Sequence, residues 1–165
     1  MLDLAGFCPP AGRTVGIGSP GALQVMGLRS RAMALNPSIA VLVVDDSSAM
    51  ISIIRGLLHH LGFGDVDDAR DGRSALARMR NKRYGLVISD WNMEPMTGYE
   101  FLREVRGDPI LKRVPFIMVT SESKTENVIA AKKAGVDNYI VKPFNAQTLK
   151  TKIDSVFAAR AAPPL

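Results

Sequence analysis

"LVISDWNMEPMTGYEF", Leu86 to Phe101, sets Asp90 at the end of a short apolar run, then passes through a loop containing Pro and Gly into an amphipathic segment. A run of this kind, apolar without alternation, reads as a strand buried on both faces. An aspartate where such a strand runs out has two readings. It is a turn former, because its side chain bonds readily to nearby backbone N–H groups, or it is a reactive carboxylate at the rim of a sheet. The other strands of the chain decide between them.

Outward from Asp90 the same kind of run recurs. "IAVLVV" (Ile39–Val44) reads as a first strand, and "SAMISIIRGLLHHLG" follows it with Ile51, Ile54, Leu57, Leu58 and Leu61 on one helical face and Gly62 as a stop signal. A weak strand over 66–69 and a helix near 72–80 lead to "GLVIS", the strand before Asp90. After it come "GYEFLREVR" as helix, "PFIMVT" as strand, "TENVIAAKKAG" as helix, "NYIV" as strand and "NAQTLKTKIDSVFA" as a last helix, with Leu149, Ile153 and Val156 facing inward. Five β-α units in a row specify an α/β protein with a parallel five-stranded sheet, helices on both faces and right-handed crossovers.

Composition bounds what this domain can do. A chain of 165 residues with 47% hydrophobic content is long enough for one domain with a real core. The formal charge of +5 is spread along the chain with acids between the bases, which reads as a solvated surface and not a nucleic-acid footprint. The single cysteine, Cys8, allows no internal disulfide and no cysteine metal cluster, consistent with a reducing cytoplasm. No apolar run approaches the roughly 20 residues that span a bilayer, so membrane insertion is not expected. Residues 1–38 are rich in Gly and Pro without a sustained period and are expected to be a largely disordered extension. "GIGSPG" (Gly16–Gly21) matches a dinucleotide fingerprint in letters only, since no strand precedes it, Pro20 interrupts it and no β-α-β unit closes around it. Arg13, Arg29 and Arg31 against the lone Asp3 imitate a transit peptide, while Met33, just before the first strand, is an alternative start that would make the first 32 residues dispensable. The domain is expected over 39–158, with a short tail over 159–165.

Open α/β sheets carry their chemistry at the carboxyl ends of the strands. There strand one ends in Asp45 and Asp46, strand three in Asp90, strand four in Thr120, Ser121 and Glu122, and strand five in Lys142 and Pro143. Gathered carboxylates repel and raise one another's pKa, a conflict that a divalent cation removes. Magnesium suits such a set, because it takes hard oxygen ligands, is held by one or two carboxylates and keeps waters that a phosphate oxygen can replace. Lys142 adds positive charge and the Thr120 hydroxyl a donor. The set has the composition of a phosphoryl-transfer site with Asp90 as nucleophile. Each residue alone is more simply a turn or strand-end residue; the four strand ends together are what favour chemistry.

The stretches "VLVVDDS", "VISDWNMEPMTGYEFL", "MVTSES" and "YIVKPF" resemble response-regulator receiver domains, and among them the single-domain chemotaxis regulators, over about 39–157. The resemblance implies a flavodoxin-like doubly wound fold, (βα)5, with strand order 2-1-3-4-5. It implies that Asp90 is the phosphoacceptor for a histidine kinase, that Asp46, Asp90 and the backbone carbonyl of Asn92 are direct Mg2+ ligands, and that Asp45 acts through water. Thr120 and Lys142 would contact phosphoryl oxygens, and the Lys142–Pro143 bond is expected to be cis. Asn92 and Glu122, both of the chemotaxis type, would tune hydrolysis of the acyl phosphate toward a short lifetime. Where the family has a proline four residues after the acceptor this chain has Glu94, with Pro95 next and the interval to Gly98 unchanged. Glu94 is expected to face solvent.

The resemblance further implies a switch in which the Thr120 hydroxyl turns inward and Tyr139 follows into the vacated space, altering the surface of helix four, strand five and helix five. The expected role is a monomeric, non-enzymatic signalling module of the cytoplasm that binds a flagellar motor switch protein when phosphorylated. The alternative is a phosphorelay shuttle or phosphate sink exchanging phosphoryl groups with phosphotransfer proteins. A phosphohydrolase acting on external substrates is disfavoured, because "VVDDSS" lacks aspartates two residues apart, and no helix-turn-helix fits after Phe157. His59, His60 and Trp91 read as structural, with Trp91 a useful optical probe.

Overall fold

A computed structural model describes residues 36–162. The expectations placed on residues 1–35, namely disorder, the Gly16–Gly21 match and the Met33 start, lie outside the described residues. Ten elements alternate along the chain: β1 (Val41–Val44), α1 (Ser48–His60), β2 (Val66–Ala69), α2 (Gly72–Asn81), β3 (Leu86–Asp90), α3 (Gly98–Gly107), β4 (Phe116–Thr120), α4 (Thr125–Ala134), β5 (Asn138–Val141) and α5 (Ala146–Ala161). The five strands form one sheet in the order β2-β1-β3-β4-β5, and every pair is parallel. Fold class and strand order are those expected from the sequence.

The unalternating strands are explained by two cores. Val41, Val43, Ile88, Ile117 and Val119 point to one face of the sheet, where Ile51, Ile54 and Leu58 of α1 and Leu149, Ile153 and Val156 of α5 cover them. Leu42, Val44, Val87, Phe116 and Met118 point to the other, under Ala75, Leu76 and Met79 of α2 and Phe101, Leu102 and Val105 of α3. Successive residues of a strand face opposite sides, so a strand covered on both must be apolar throughout.

Side-chain caps set most helix starts by satisfying backbone N–H groups that have no partner inside the helix. Ser47 accepts from Met50, Asp71 from Arg73 and Ser74, and Asn145 from Thr148, while Thr97 and Glu100 form a reciprocal box at α3. Helix α4 differs. Its Lys124 provides no side-chain cap, and Ala131 is its only buried residue, which makes it the least anchored helix.

Two boundaries depart from the sequence reading. Strand β1 begins at Val41, because Ile39 first closes a turn by donating to the Asn36 carbonyl. Helix α5 continues to Ala161, so Ala159 to Ala161 do not belong to a tail. The extension is held by Arg160, which pairs with Asp137 at 2.7 Å and donates to the carbonyls of Arg113 and Val114.

Asp137 is the hub at the amino-terminal end of the sheet. Its carboxylate accepts from Arg106 at 2.9 Å, from Arg160, and from the Phe116 backbone N–H at 2.8 Å. Arg106 also donates to the carbonyls of Lys112, Val114 and Gly135, so one acid and two guanidinium groups join α3, α5 and the starts of β4 and β5. Burial pulls the Arg106 pKa down and the Asp137 charge opposes it, with the net direction downward. Asp137→Ala would leave both arginines without their shared carboxylate. A loss of about 2 kcal/mol is expected, less than the ~3–5 kcal/mol of a fully buried pair because the network is partly solvated. Urea unfolding with an unchanged m-value checks this; a loss under about 0.5 kcal/mol, the range of a plain surface pair, contradicts it.

Candidate functional site

Strand register brings the site residues together. β1 and β3 are neighbours with Val44 opposite Ser89, so Asp45 and Asp90, one step further on, stand side by side. β3 pairs with β4 so that Asp90 faces Val119, one residue before Thr120. β4 pairs with β5 so that Thr120 faces Val141, and the Lys142 N–H extends the ladder to the Thr120 carbonyl at 2.8 Å. Asp45, Asp90, Thr120 and Lys142 therefore meet at the carboxyl edge of four adjacent strands.

Asp45, Asp46 and Asp90 each offer an oxygen within 4.8 Å of the others. Asp45 and Asp90 are buried, at 1% and 7% exposure, while Asp46 faces solvent. Lys142 Nζ lies 2.9 Å from Asp90 Oδ1 and 3.4 Å from Asp45 Oδ2. Burial pushes the Asp45 carboxyl up, the Ser47 N–H bonded to it at 2.8 Å pulls it down, and the Asp90 charge pushes it up again; the net direction is upward. Burial alone would pull Lys142 down, but its bonds and charge contacts with Asp90 and Asp45 prevail and hold it above the usual lysine range. One ammonium facing three carboxylates leaves the cluster acceptor-rich and short of positive charge. A hard divalent cation with oxygen preference, Mg2+, fits this donor set.

The remaining predicted residues divide. The Thr120 hydroxyl is buried and turned to the next loop, accepting from the Glu122 N–H at 3.1 Å and donating to the Glu122 carbonyl at 3.3 Å. Tyr139 is half-buried against the core beneath α2 and α3 and lines a cavity of about 70 Å3 with Val128, Lys132 and Val136. Asn92, Glu94 and Glu122 are exposed. Glu122 pairs with Lys124 at 3.2 Å, and Glu94 has no hydrogen bond or ion pair among the described residues. Lys142–Pro143 is cis, as is Glu94–Pro95. His59 and His60 are exposed and belong to no metal-ligating group among the described residues. Trp91 is partly buried, with its ring 5.6 Å from that of Tyr99.

Two contributors escaped the sequence reading. Ser47 was visible only as the letter after two acids, yet its N–H fixes the Asp45 carboxylate. Gly98 was visible only as the end of a loop interval. A Cβ there would stand 1.9 Å from the Asp90 carbonyl oxygen, so any side chain at 98 drives the Asp90 backbone out of place.

The upward shift of Asp45 has a consequence for stability. The folded state holds this proton more tightly than the unfolded state, so the group favours folding at low pH and loses that contribution as pH rises through its folded pKa. At neutral pH its buried charge opposes folding. Asp45→Asn keeps an oxygen for the Ser47 N–H, and in metal-free buffer with chelator it should unfold at a higher temperature than wild type at pH 7. The gap should close below the ordinary aspartate value of about 3.9. An unchanged or lower midpoint at pH 7 contradicts the assignment.

Comparison with known proteins accords with this geometry. The family model described as the response regulator receiver domain matches residues 41–154. The chain is 47% identical over 117 residues to the chemotaxis protein CheY of Pseudomonas aeruginosa, covering 71% of this chain and 94% of that one. It is 45% identical over 123 residues to the chemotaxis protein CheY-3 of Vibrio cholerae, covering 74% and 95%. The solved structure of the Vibrio cholerae chemotaxis protein CheY4 superposes with a TM-score of 0.68 at 38% identity, covering 72% of this chain and 98% of that one. With an edge of acids and lysine in register and the family's sequence over most of its length, this chain belongs to the response regulator receiver domain family.

Proposed function

We propose that this chain is a single-domain response regulator in which Asp90 accepts a phosphoryl group from a histidine kinase, in a reaction that requires Mg2+. The observation that carries the reading is the Lys142–Asp90 pair at 2.9 Å within a group of three clustered aspartates. Asp46, Asp90 and the Asn92 carbonyl would hold the ion directly, with Asp45 acting through water. Bound there, Mg2+ supplies neutralising charge to the oxygens of the transferring group.

The chain's own groups do the rest. An Asp90 carboxylate oxygen attacks phosphorus in line, the P–N bond to the kinase histidine breaks, and its electron pair leaves with the imidazole. Lys142, kept as an ammonium by its two acidic neighbours, balances negative charge on the phosphoryl oxygens. The Thr120 hydroxyl can donate to those oxygens only by releasing the Glu122 carbonyl, to which it gives its one proton. The added charge and acceptor oxygens of an acyl phosphate offer the replacement bond. Tyr139 then moves toward the vacated space, and the face made by α4, β5 and α5 changes. The weak anchoring of α4 makes that face inexpensive to remodel. A bias of about 5.5 kcal/mol between the two states takes the inward form from 1:99 to 99:1. Asn92 and Glu122, exposed beside the acceptor, set the access of water and so the lifetime.

The relatives named as chemotaxis proteins favour a chemotactic role; the cytoplasm as its place and a flagellar motor switch protein as its target follow from the resemblance to single-domain receivers. The module acts on no external substrate and contributes only to its own phosphorylation and dephosphorylation.

Incubation with Mg2+ and acetyl phosphate or phosphoramidate tests the reading by intact-protein mass and Trp91 emission. Wild type should gain one phosphoryl group and change its emission; Asp90→Asn should do neither, and chelation of Mg2+ should abolish labelling. Labelling of Asp90→Asn to the wild-type level contradicts the proposal.

A further inference from the structure

At the amino-terminal end of the sheet, away from the aspartates, the α2–β3 and α3–β4 connections enclose a recess of about 340 Å3. Met79 and Leu111 form buried parts of its lining, and the partly buried Tyr84 and Val114 complete its apolar wall. Beside them stands Ile110, 86% exposed, the most exposed large hydrophobic among the described residues. Arg83 and Arg113 also line the recess.

The charge at this end is unevenly matched. Lys82 is paired with Asp65 and Asp67, and Arg106 and Arg160 share Asp137. Arg83 and Arg113 are exposed and form no ion pair among the described residues. From Gly72 to Ser89 the sequence holds five basic residues and no acid. The α3–β4 wall is also rigid, because the carbonyls of Lys112, Arg113 and Val114 are held by Arg106 and Arg160. A groove already fixed in shape loses little entropy when it is filled.

We propose that this recess is a docking site for an acidic peptide segment of another protein, which inserts a bulky apolar side chain between the two connections and sets carboxylates against Arg83 and Arg113. Three features select this occupant. The two unmatched guanidinium groups call for anions, and arginine pairs with carboxylates in a two-pronged geometry. Ile110 lines the recess yet is 86% exposed, so its apolar surface opens outward from the rim, where a side chain carried on a peptide backbone can cover it. A flat membrane would leave the concavity unfilled, whereas a side chain fills it.

The test is selection of a displayed library of random twelve-residue peptides on the full-length protein, after depletion on the variant carrying Ile110→Ser, Arg83→Glu and Arg113→Glu. All three positions are exposed, and the variant's thermal midpoint is measured alongside to establish that it is folded. Enriched peptides should combine at least one large apolar residue with an excess of Asp and Glu. Synthetic copies should bind wild type and lose about tenfold or more in affinity for each of Ile110→Ser and Arg83→Glu. No enrichment beyond the depleted control, or enrichment of neutral or basic sequences, overturns the proposal. So does co-sedimentation with phosphatidylglycerol vesicles that depends on the same residues when no acidic peptide is recovered, an outcome that assigns the surface to lipid.

Discussion

Two carboxylates held side by side in a buried place, with one ammonium between them, are the interaction around which the carboxyl edge of the sheet is organised. The β1–β3 register places Asp45 and Asp90 together, and neither can withdraw into solvent without breaking a central strand. Lys142 reaches both from the end of β5, so the site exists only when strands from the middle and the edge of the sheet are aligned. The fold tolerates repulsion at this rim because two apolar layers hold the strands from both faces. An arrangement that opposes folding in isolation is the kind that gains most from a bound cation or a transferred group.

The two ends of the sheet are built on opposite principles. At the carboxyl edge acids outnumber the single lysine, and the connections are short polar loops with exposed side chains such as Asn92, Glu94 and Glu122. At the amino edge one acid, Asp137, is shared by two arginines that also satisfy backbone carbonyls, so positive charge is in excess while the loops are tied down. The acidic carboxyl edge is thus set against a fixed base. Between the two lies α4, lacking a side-chain cap and buried at Ala131 alone, the element whose movement disturbs least.

Much of this was legible in the sequence, for a physical reason. Strands covered on both faces must be apolar without alternation, so "VLVV", "LVIS" and "FIMVT" announce themselves, and polar residues at their ends stand out against them. Asp45, Asp90, Thr120 and Lys142 were found that way. What was not legible depends on partners distant in sequence or on space. Arg106, Asp137 and Arg160 looked like scattered surface charge, because nothing local reveals that residues 31 and 23 positions apart converge. The end of α5 was placed early, since "AARA" carries no stop signal and only the Arg160 contacts show that the helix continues. Gly98 was read as loop length, while its role is to let the Asp90 carbonyl approach. The engagement of the Thr120 hydroxyl with Glu122 depends on a side-chain torsion that no residue pattern encodes.

The grouping of Asp45, Asp46 and Asp90 points to one divalent-cation site. The most direct measurement is a titration of the isotope-labelled chain with Mn2+, an ion of similar ligand preference, followed by paramagnetic broadening of backbone amide signals. The account predicts saturation at one equivalent, with broadening centred on Asp45, Asp46 and Asp90, competition by Mg2+, and loss of the effect in Asp46→Asn. Broadening centred elsewhere, or undiminished in Asp46→Asn, would contradict it.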